Sequence, residues 1–300
     1  MVNAGTMPRA ETLAQPRTSA SWTRLAWAQF RSNRVALLSA VFLIVMYLVA
    51  IFAPVVAPYN SNAVDILATN APPSAAHWLG TDATGRDILS RLIVGSRASM
   101  TVGLVAMVIA IVIGSLVGGL SGYFGGVIDS VLMRLTDGMM AIPYFFLVLI
   151  VVAVFGSTFR NIVIVIGVTS WMVVARIIRS EILRYREQDF VLAARSLGAT
   201  DRRILFRHIM PHAVPSIIVA ASIGVAGAIL LESALSYLGL GIQAPNASWG
   251  NMLSDSQAYI FANPLLPIYP GVLILLTVLA YNFLGDALRD ALDPRISHQK

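Results

Sequence analysis

His208 and His212 stand four residues apart, the spacing by which two imidazoles on one helical turn can share a zinc ion. Pro211 interrupts that turn and no carboxylate lies between the two. They read as interfacial histidines near a helix start, and no metal site is expected. Gly239, Gly241 and Ala244 fit the G-x-G-x-x-A pattern of a dinucleotide-binding turn. That pattern follows a long apolar run, precedes Pro245 and has no strand before it, so the nucleotide reading fails. The only lysine is Lys300, which leaves no G-x-x-x-x-G-K loop to grip a phosphate. With no cysteine, disulfides, thiolate metal sites and redox chemistry are all excluded. No catalytic residue is nominated, and the chain is expected to be no enzyme and to hold no cofactor of its own.

Glu232 is the one acid that stands inside an apolar run. It continues a stripe of small residues, Ala220, Gly224 and Ala228. A charged carboxylate at the bilayer centre costs about 2.5–3.5 kcal/mol, and less toward the outer end, where Glu232 is expected. Two readings are open: a place in a substrate path or gate, or a structural hydrogen bond near Ser233 or Ser236. A second small-residue stripe, Gly114, Gly118 and Gly122, spaced by four, would let two helix backbones pack closely.

The elements that carry these residues follow from composition. Of 300 residues, 57% are hydrophobic and 12% charged, with a mean hydropathy of +0.76. A soluble chain of this size has too little interior to hide that surface, so the chain is a polytopic membrane protein. About 20 apolar residues cross a hydrocarbon core of roughly 30 Å. Six segments qualify, at 35–56, 99–122, 139–156, 161–178, 213–238 and 266–284. Lipid offers no partner for exposed amides, so the spans must be helices, and the fold class is all-α. Ten-residue alternating segments of a membrane barrel are not seen.

Arginine placement orients the bundle. With the N-terminus inside, cytoplasmic segments hold 17 of the 21 Lys and Arg, and only Arg86, Arg91, Arg97 and Arg160 lie outside. Positive charge is retained on the cytoplasmic side, which predicts N-in and C-in. The net charge of +6 therefore belongs to membrane flanks and implies no nucleic acid. Residues 1–34 read as a cytoplasmic tail, disordered over its first 20 residues, and an interfacial helix bearing Trp22, Trp27 and Phe30. Residues 35–285 form the six-helix domain, with an external loop at 57–98 and a cytoplasmic loop at 180–211. Residues 286–300 form a cytoplasmic tail.

Two loops carry candidate contacts. In the external loop Thr84 and Asp87 suggest a capping box, followed by a short helix lying on the outer membrane surface with Asp87 and Arg91 paired. Such a helix is either a lid on the bundle or a dock for an extracytoplasmic protein through Arg86, Asp87 and Arg91. The cytoplasmic loop contains DFVLAARSLGATDRRILFRHIMP at 189–211. Phe190, Ala193, Ala194 and Leu197 share one face of a short helix, Arg195 lies opposite, and Gly198 is placed to end it. Thr200 or Asp201 can cap a second helix over 202–209. This is a knob suited to a groove on another protein, or an amphipathic linker lying on lipid.

The 189–211 segment resembles the cytoplasmic loop of ABC importer permeases, written E-A-A-x-x-x-G with Pro thirteen residues after the Gly. Ala193, Ala194, Gly198 and Pro211 match, while Leu192 replaces the Glu, so no ion pair from that position is available. Three further stretches resemble the C-type permease subunit of dipeptide, oligopeptide and nickel importers. They are LGTDATGRDILSR at 79–91, LSYLGLG at 235–241 with SWGNM at 248–252, and GDALRDALDPR at 285–295. The likeness runs from about 27 to 295. It implies a type I importer permease in a bacterial or archaeal cytoplasmic membrane. It further implies a homologous permease partner, two ATPases that hold ATP and magnesium, and an extracytoplasmic substrate-binding protein. Peptides are the implied substrate, with nickel or another small solute as the competitor. A secondary transporter would bury ionisable groups at mid-bilayer, and these are nearly absent here.

Overall fold

The computed structural model describes residues 22–292, with side chains from Trp27 onward. The tail expected at 1–20 lies outside the described residues. Helix α1 (Trp22–Ser32) leads into α2 (Arg34–Ile51), and the break falls at Asn33, whose side chain accepts the Ala36 N–H at 3.1 Å. A single turn, α3 (Ala53–Val56), precedes the external loop. Helix α4 (Ile88–Phe124) then crosses the molecule and meets α5 (Gly126–Met140), α6 (Tyr144–Phe155) and α7 (Phe159–Tyr185). The insert expected at 189–211 is α8 (Asp189–Ser196) and α9 (Asp201–Arg203), and the latter passes through a π-helical turn, Ile204–Ile209, into α10 (Met210–Tyr237). A short α11 (Trp249–Ser256) and α12 (Leu265–Leu292) complete the bundle. The described residues hold no strand beyond one isolated bridge.

Among the described residues five helices are long and apolar enough to span a membrane: α2, α4, α7, α10 with its α9 leader, and α12. The expected third span, 139–156, is corrected. Its apolar part is α6, only about 18 Å long at 1.5 Å per residue. It makes a sixth span only together with α5, across a bend of 86°. Pro143 causes the break, because it lacks an N–H and drives Ile142 out of helical backbone. Two further expectations change. The helix predicted to lie on the outer surface at 88–93 is the first turns of α4 itself. The helix expected at 202–209 does not end before Pro211 but continues into α10. Pro211 cannot donate and its ring would press on the Arg207 carbonyl. The π turn absorbs this by letting Met210 N–H reach back to Leu205 O. The C-terminal helix also runs on to Leu292, past the expected boundary at 286.

The core is the α4–α7 joint. A Cβ on Gly118 would sit 2.3 Å from the Ala175 carbonyl oxygen, and one on Gly122 would sit 2.9 Å from that of Arg179. Gly114 meets Val174 and the Trp171 carbonyl, while Gly167 on α7 meets the Ala106 carbonyl in return. Backbone thus lies on backbone, which is how helices associate where lipid supplies no hydrophobic drive. Helix α10 also packs on α4, nearer its N-terminal end, with Gly224 against the Met107 sulfur and Gly103 against Ile229. Helices α2 and α12 join through the Tyr47 and Tyr281 hydroxyls at 2.5 Å.

Gly118→Ala is expected to lower the thermal unfolding temperature of the detergent-solubilised chain, with a loss of about 1–3 kcal/mol from overpacking. Gly138→Ala, where an added Cβ meets nothing within 4 Å, serves as the matched control and is expected to unfold like the parent. Indistinguishable unfolding of the two variants would contradict the close-packed joint.

Candidate functional site

The knob formed by α8 and α9 is held by a few specific bonds. Helix α8 ends as its sequence dictates: Gly198 takes φ +78°, its N–H bonds Arg195 O, and Ala199 N–H bonds Ala194 O. These two bonds close a Schellman cap. Thr200 then caps the next turn by accepting the Arg203 N–H. The inward side of α8 is Val191, fully buried, which the sequence reading missed because one valine in an apolar octet carries no distinguishing signal. Arg195 reaches the Tyr123 hydroxyl at 3.5 Å, and that hydroxyl donates to Asp201 at 2.6 Å. Arg186 donates to the Gly122 carbonyl at 3.1 Å. The inner end of α4 thereby grips both helices of the insert.

The opposite side of α8 is open. Leu197 is 88% exposed, and Phe190, Leu192 and Ala193 are exposed beside it, with Ala194 half-buried. Phe190 leans on His212 at 5.3 Å between ring centres, and His212 stacks on Tyr185 at 4.8 Å. The histidine therefore braces the knob against the end of α7. Pro211 lies in the first turn of α10, directly after the π turn.

Glu232 is wholly enclosed, with 0% exposure, and lines no open path within this chain. Ser236 donates to one carboxyl oxygen at 2.7 Å and Ser99 to the other at 3.1 Å. Ser99 Oγ in turn accepts the Trp249 backbone N–H, and the Trp249 indole donates to Leu92 O at 3.2 Å. Of the two serines weighed from sequence, Ser236 bonds the acid, while Ser233 Oγ is buried without a partner. One carboxylate so joins α4, α10 and α11. The bond to Ser99 was invisible in sequence because 133 residues separate the two.

The external triad is placed differently from its expected pairing. Asp87, not Thr84, caps α4 by accepting the Ser90 N–H at 2.7 Å, and it also binds His77 Nδ1 at 2.9 Å. Thr84 instead donates to Asp82. The expected Asp87–Arg91 pair does not form. Arg91 turns to Asp82 at 3.6 Å and to Asp255 at 3.4 Å, while Arg86 holds Asp82 at 2.8 Å. Burial favours the neutral Asp82 carboxyl, but hydrogen bonds from Thr84 and Arg86 outweigh it and hold the group below the usual carboxylate range. Asp87 and Arg91 are both buried.

Replacing Glu232 by Ala strands the Ser99 and Ser236 hydroxyls in a dry site, at about 1–3 kcal/mol. Thermal unfolding followed by circular dichroism is expected to show that loss. Glu232→Gln keeps an acceptor and is expected to fall between Ala and the parent. An unchanged midpoint for the Ala variant would rule out the three-helix clamp.

Comparison with known proteins gives the family of the chain. Residues 110–298 match the model of the binding-protein-dependent transport system inner membrane component. Residues 21–73 match the N-terminal transmembrane domain of oligopeptide transport permease C. The chain is 40% identical over 280 residues to the oligopeptide transport system permease protein OppC of Bacillus subtilis (strain 168), covering 93% of this chain and 92% of the relative. It is 44% identical over 271 residues to the glutathione transport system permease protein GsiD of Shigella flexneri serotype 5b (strain 8401), covering 90% and 89%. A crystal structure of the inward-facing MetNI methionine ABC transporter superposes with a TM-score of 0.57 at 20% identity, over 69% of this chain and 98% of that one. That likeness establishes the type I permease fold. The chain belongs to the binding-protein-dependent transport system inner membrane components, as a multi-pass ABC importer permease and not an enzyme.

Proposed function

We propose that this chain forms half of the translocation pathway of a short-peptide importer and takes its power stroke through α8. The observation that carries the reading is the outward apolar face of α8 around Leu197. The other side of α8 is tied to the bundle by buried Val191 and by the Arg195 bond to Tyr123, which leaves the face around Leu197 exposed. Phe190, Ala193, Ala194, Leu197 and Gly198 form the coupling knob, with Pro211 marking where it joins α10. Both curated relatives carry peptide cargo in their names, and glutathione is itself a tripeptide. We take the partners to be a homologous permease, two ATPases that bind ATP and magnesium, and an extracytoplasmic binding protein, in a bacterial or archaeal inner membrane.

In mechanical terms, closure of the ATPases on nucleotide pushes the knob. Arg195 and Asp201 pass the displacement to Tyr123 and α4, and the π turn passes it to α10. A packed bundle responds by switching between discrete states rather than bending smoothly. Specificity then resides largely in the binding protein, which presents cargo to the outer side.

Leu197→Asp alters an exposed residue and is expected to leave folding and membrane insertion unchanged while lowering ATP-driven uptake at least about tenfold, as loss of an apolar hot spot does. Gly198→Pro cannot adopt φ +78° and is expected to abolish uptake. Normal transport by either variant in vesicles would overturn the coupling role. For cargo, the copurified complex in nanodiscs is assayed for ATP hydrolysis with di- to pentapeptides, glutathione and Ni²⁺. Stimulation by peptides is expected, and stimulation by Ni²⁺ alone would replace the peptide reading.

A further inference from the structure

At the outer end of α4 lies a cleft of about 210 Å³ whose walls include Asp82, Arg86, Arg91, Met252, Asp255 and Tyr259. Two guanidiniums and two carboxylates meet there, so the charges nominally cancel. The bonds are unequal, however. Asp82 is committed to Arg86 at 2.8 Å and to its own turn through the Thr84 and Arg86 backbone N–H groups. Arg91 has only long contacts, 3.6 Å to Asp82 and 3.4 Å to Asp255, and its Nη1 is buried with no hydrogen-bond partner. Its side chain is 2% exposed, whereas that of Asp255 is 51% exposed.

A guanidinium presents its donors as a rigid planar fork, and the group that satisfies both arms at once is a carboxylate held in bidentate fashion. Asp255 meets one arm only, from an exposed position. It also sits 3.6 Å from Arg86. The unfilled arm, the loose internal acid and the adjoining cleft together describe a site that is partly occupied from within.

We propose that this cleft binds a carboxylate arriving from outside the membrane, with Arg91 Nη1 and Nη2 as its fork and Asp255 as the internal group it displaces. A consequence follows for α11. Its first turn is clamped to α4 and α10 through Trp249, Ser99 and Glu232, while Asp255 near its last turn is the contact released. An incoming carboxylate frees one end of α11 and leaves the other fixed. Two sources of carboxylate fit, the C-terminus of a free peptide or an acidic side chain of the extracytoplasmic binding protein. The second source rests on the importer reading above.

The test uses the full chain in its assembled complex in nanodiscs. Dialanine, its C-terminal amide and the purified binding protein are titrated separately against the parent and Asp255→Asn. Removing the internal competitor is expected to tighten the carboxylate probe about three- to tenfold, the scale of one partly screened charge-assisted hydrogen bond. Arg91→Lys keeps the charge but lacks the fork, and added to Asp255→Asn it is expected to cancel the gain. A gain for dialanine but not its amide identifies the peptide terminus, and a gain for the binding protein alone identifies a side chain of that protein. No gain with any probe, or a gain that survives Arg91→Lys, overturns the site. ATP hydrolysis and uptake by the same preparation are read in parallel. An active importer with no Asp255 effect defeats the cleft alone, and an inactive one with a gain for dialanine defeats the importer reading alone.

Discussion

Helix α4 can lie against α7 at backbone distance only because glycine stands at 114, 118 and 122 on one and at 167 on the other. Every functional element hangs from that joint. At 1.5 Å per residue α4 is about 55 Å long, enough to pass through the bilayer and project on both sides. Its outer end carries Asp87, Arg91 and the charged cleft. Its inner end carries Tyr123, which holds α8 and α9. The joint makes one rigid member of what would otherwise be two independent ends.

Polar groups along that member are satisfied within the chain, as an environment without water requires. Asp129 on α5 receives two bonds from Arg179 on α7, each at 2.6 Å, so the bent α5–α6 pair is anchored beside the joint. The Glu232 clamp does the same for α11, where Gly250 lets the α11 backbone approach Ser233 on α10 closely. The exceptions are informative. The apolar side of α8 and the open arm of Arg91 are two places where α4 and its dependents leave contacts unfilled. They lie at opposite ends of the same helix.

Much of this was legible beforehand where the signal was local. The runs that became α2, α7, α10 and α12 announced themselves by length and hydropathy. Gly198 announced the end of α8, because few other residues tolerate its backbone angle. The glycine stripe on α4 announced a close helix contact without naming the partner. The third span misled because 139–156 reads as one apolar run, while Pro143 turns the chain sharply at its start. The surface helix at 88–93 misled because the cap is Asp87 rather than Thr84 and it opens α4, whose polar first turns (Ser90, Arg91, Ser96) hid their continuity with the span.

The amino-acid order alone determined the membrane class and the position of most spans. Each depends on a run of neighbours, which no distant residue can alter. Tertiary structure alone decided which charges meet. Arg91 passes over Asp87, four residues away, for Asp255, 164 residues away, and Glu232 finds Ser99 on another helix. A helix fixes only the direction in which a side chain leaves its axis. The partner it meets there is chosen by how the helices pack.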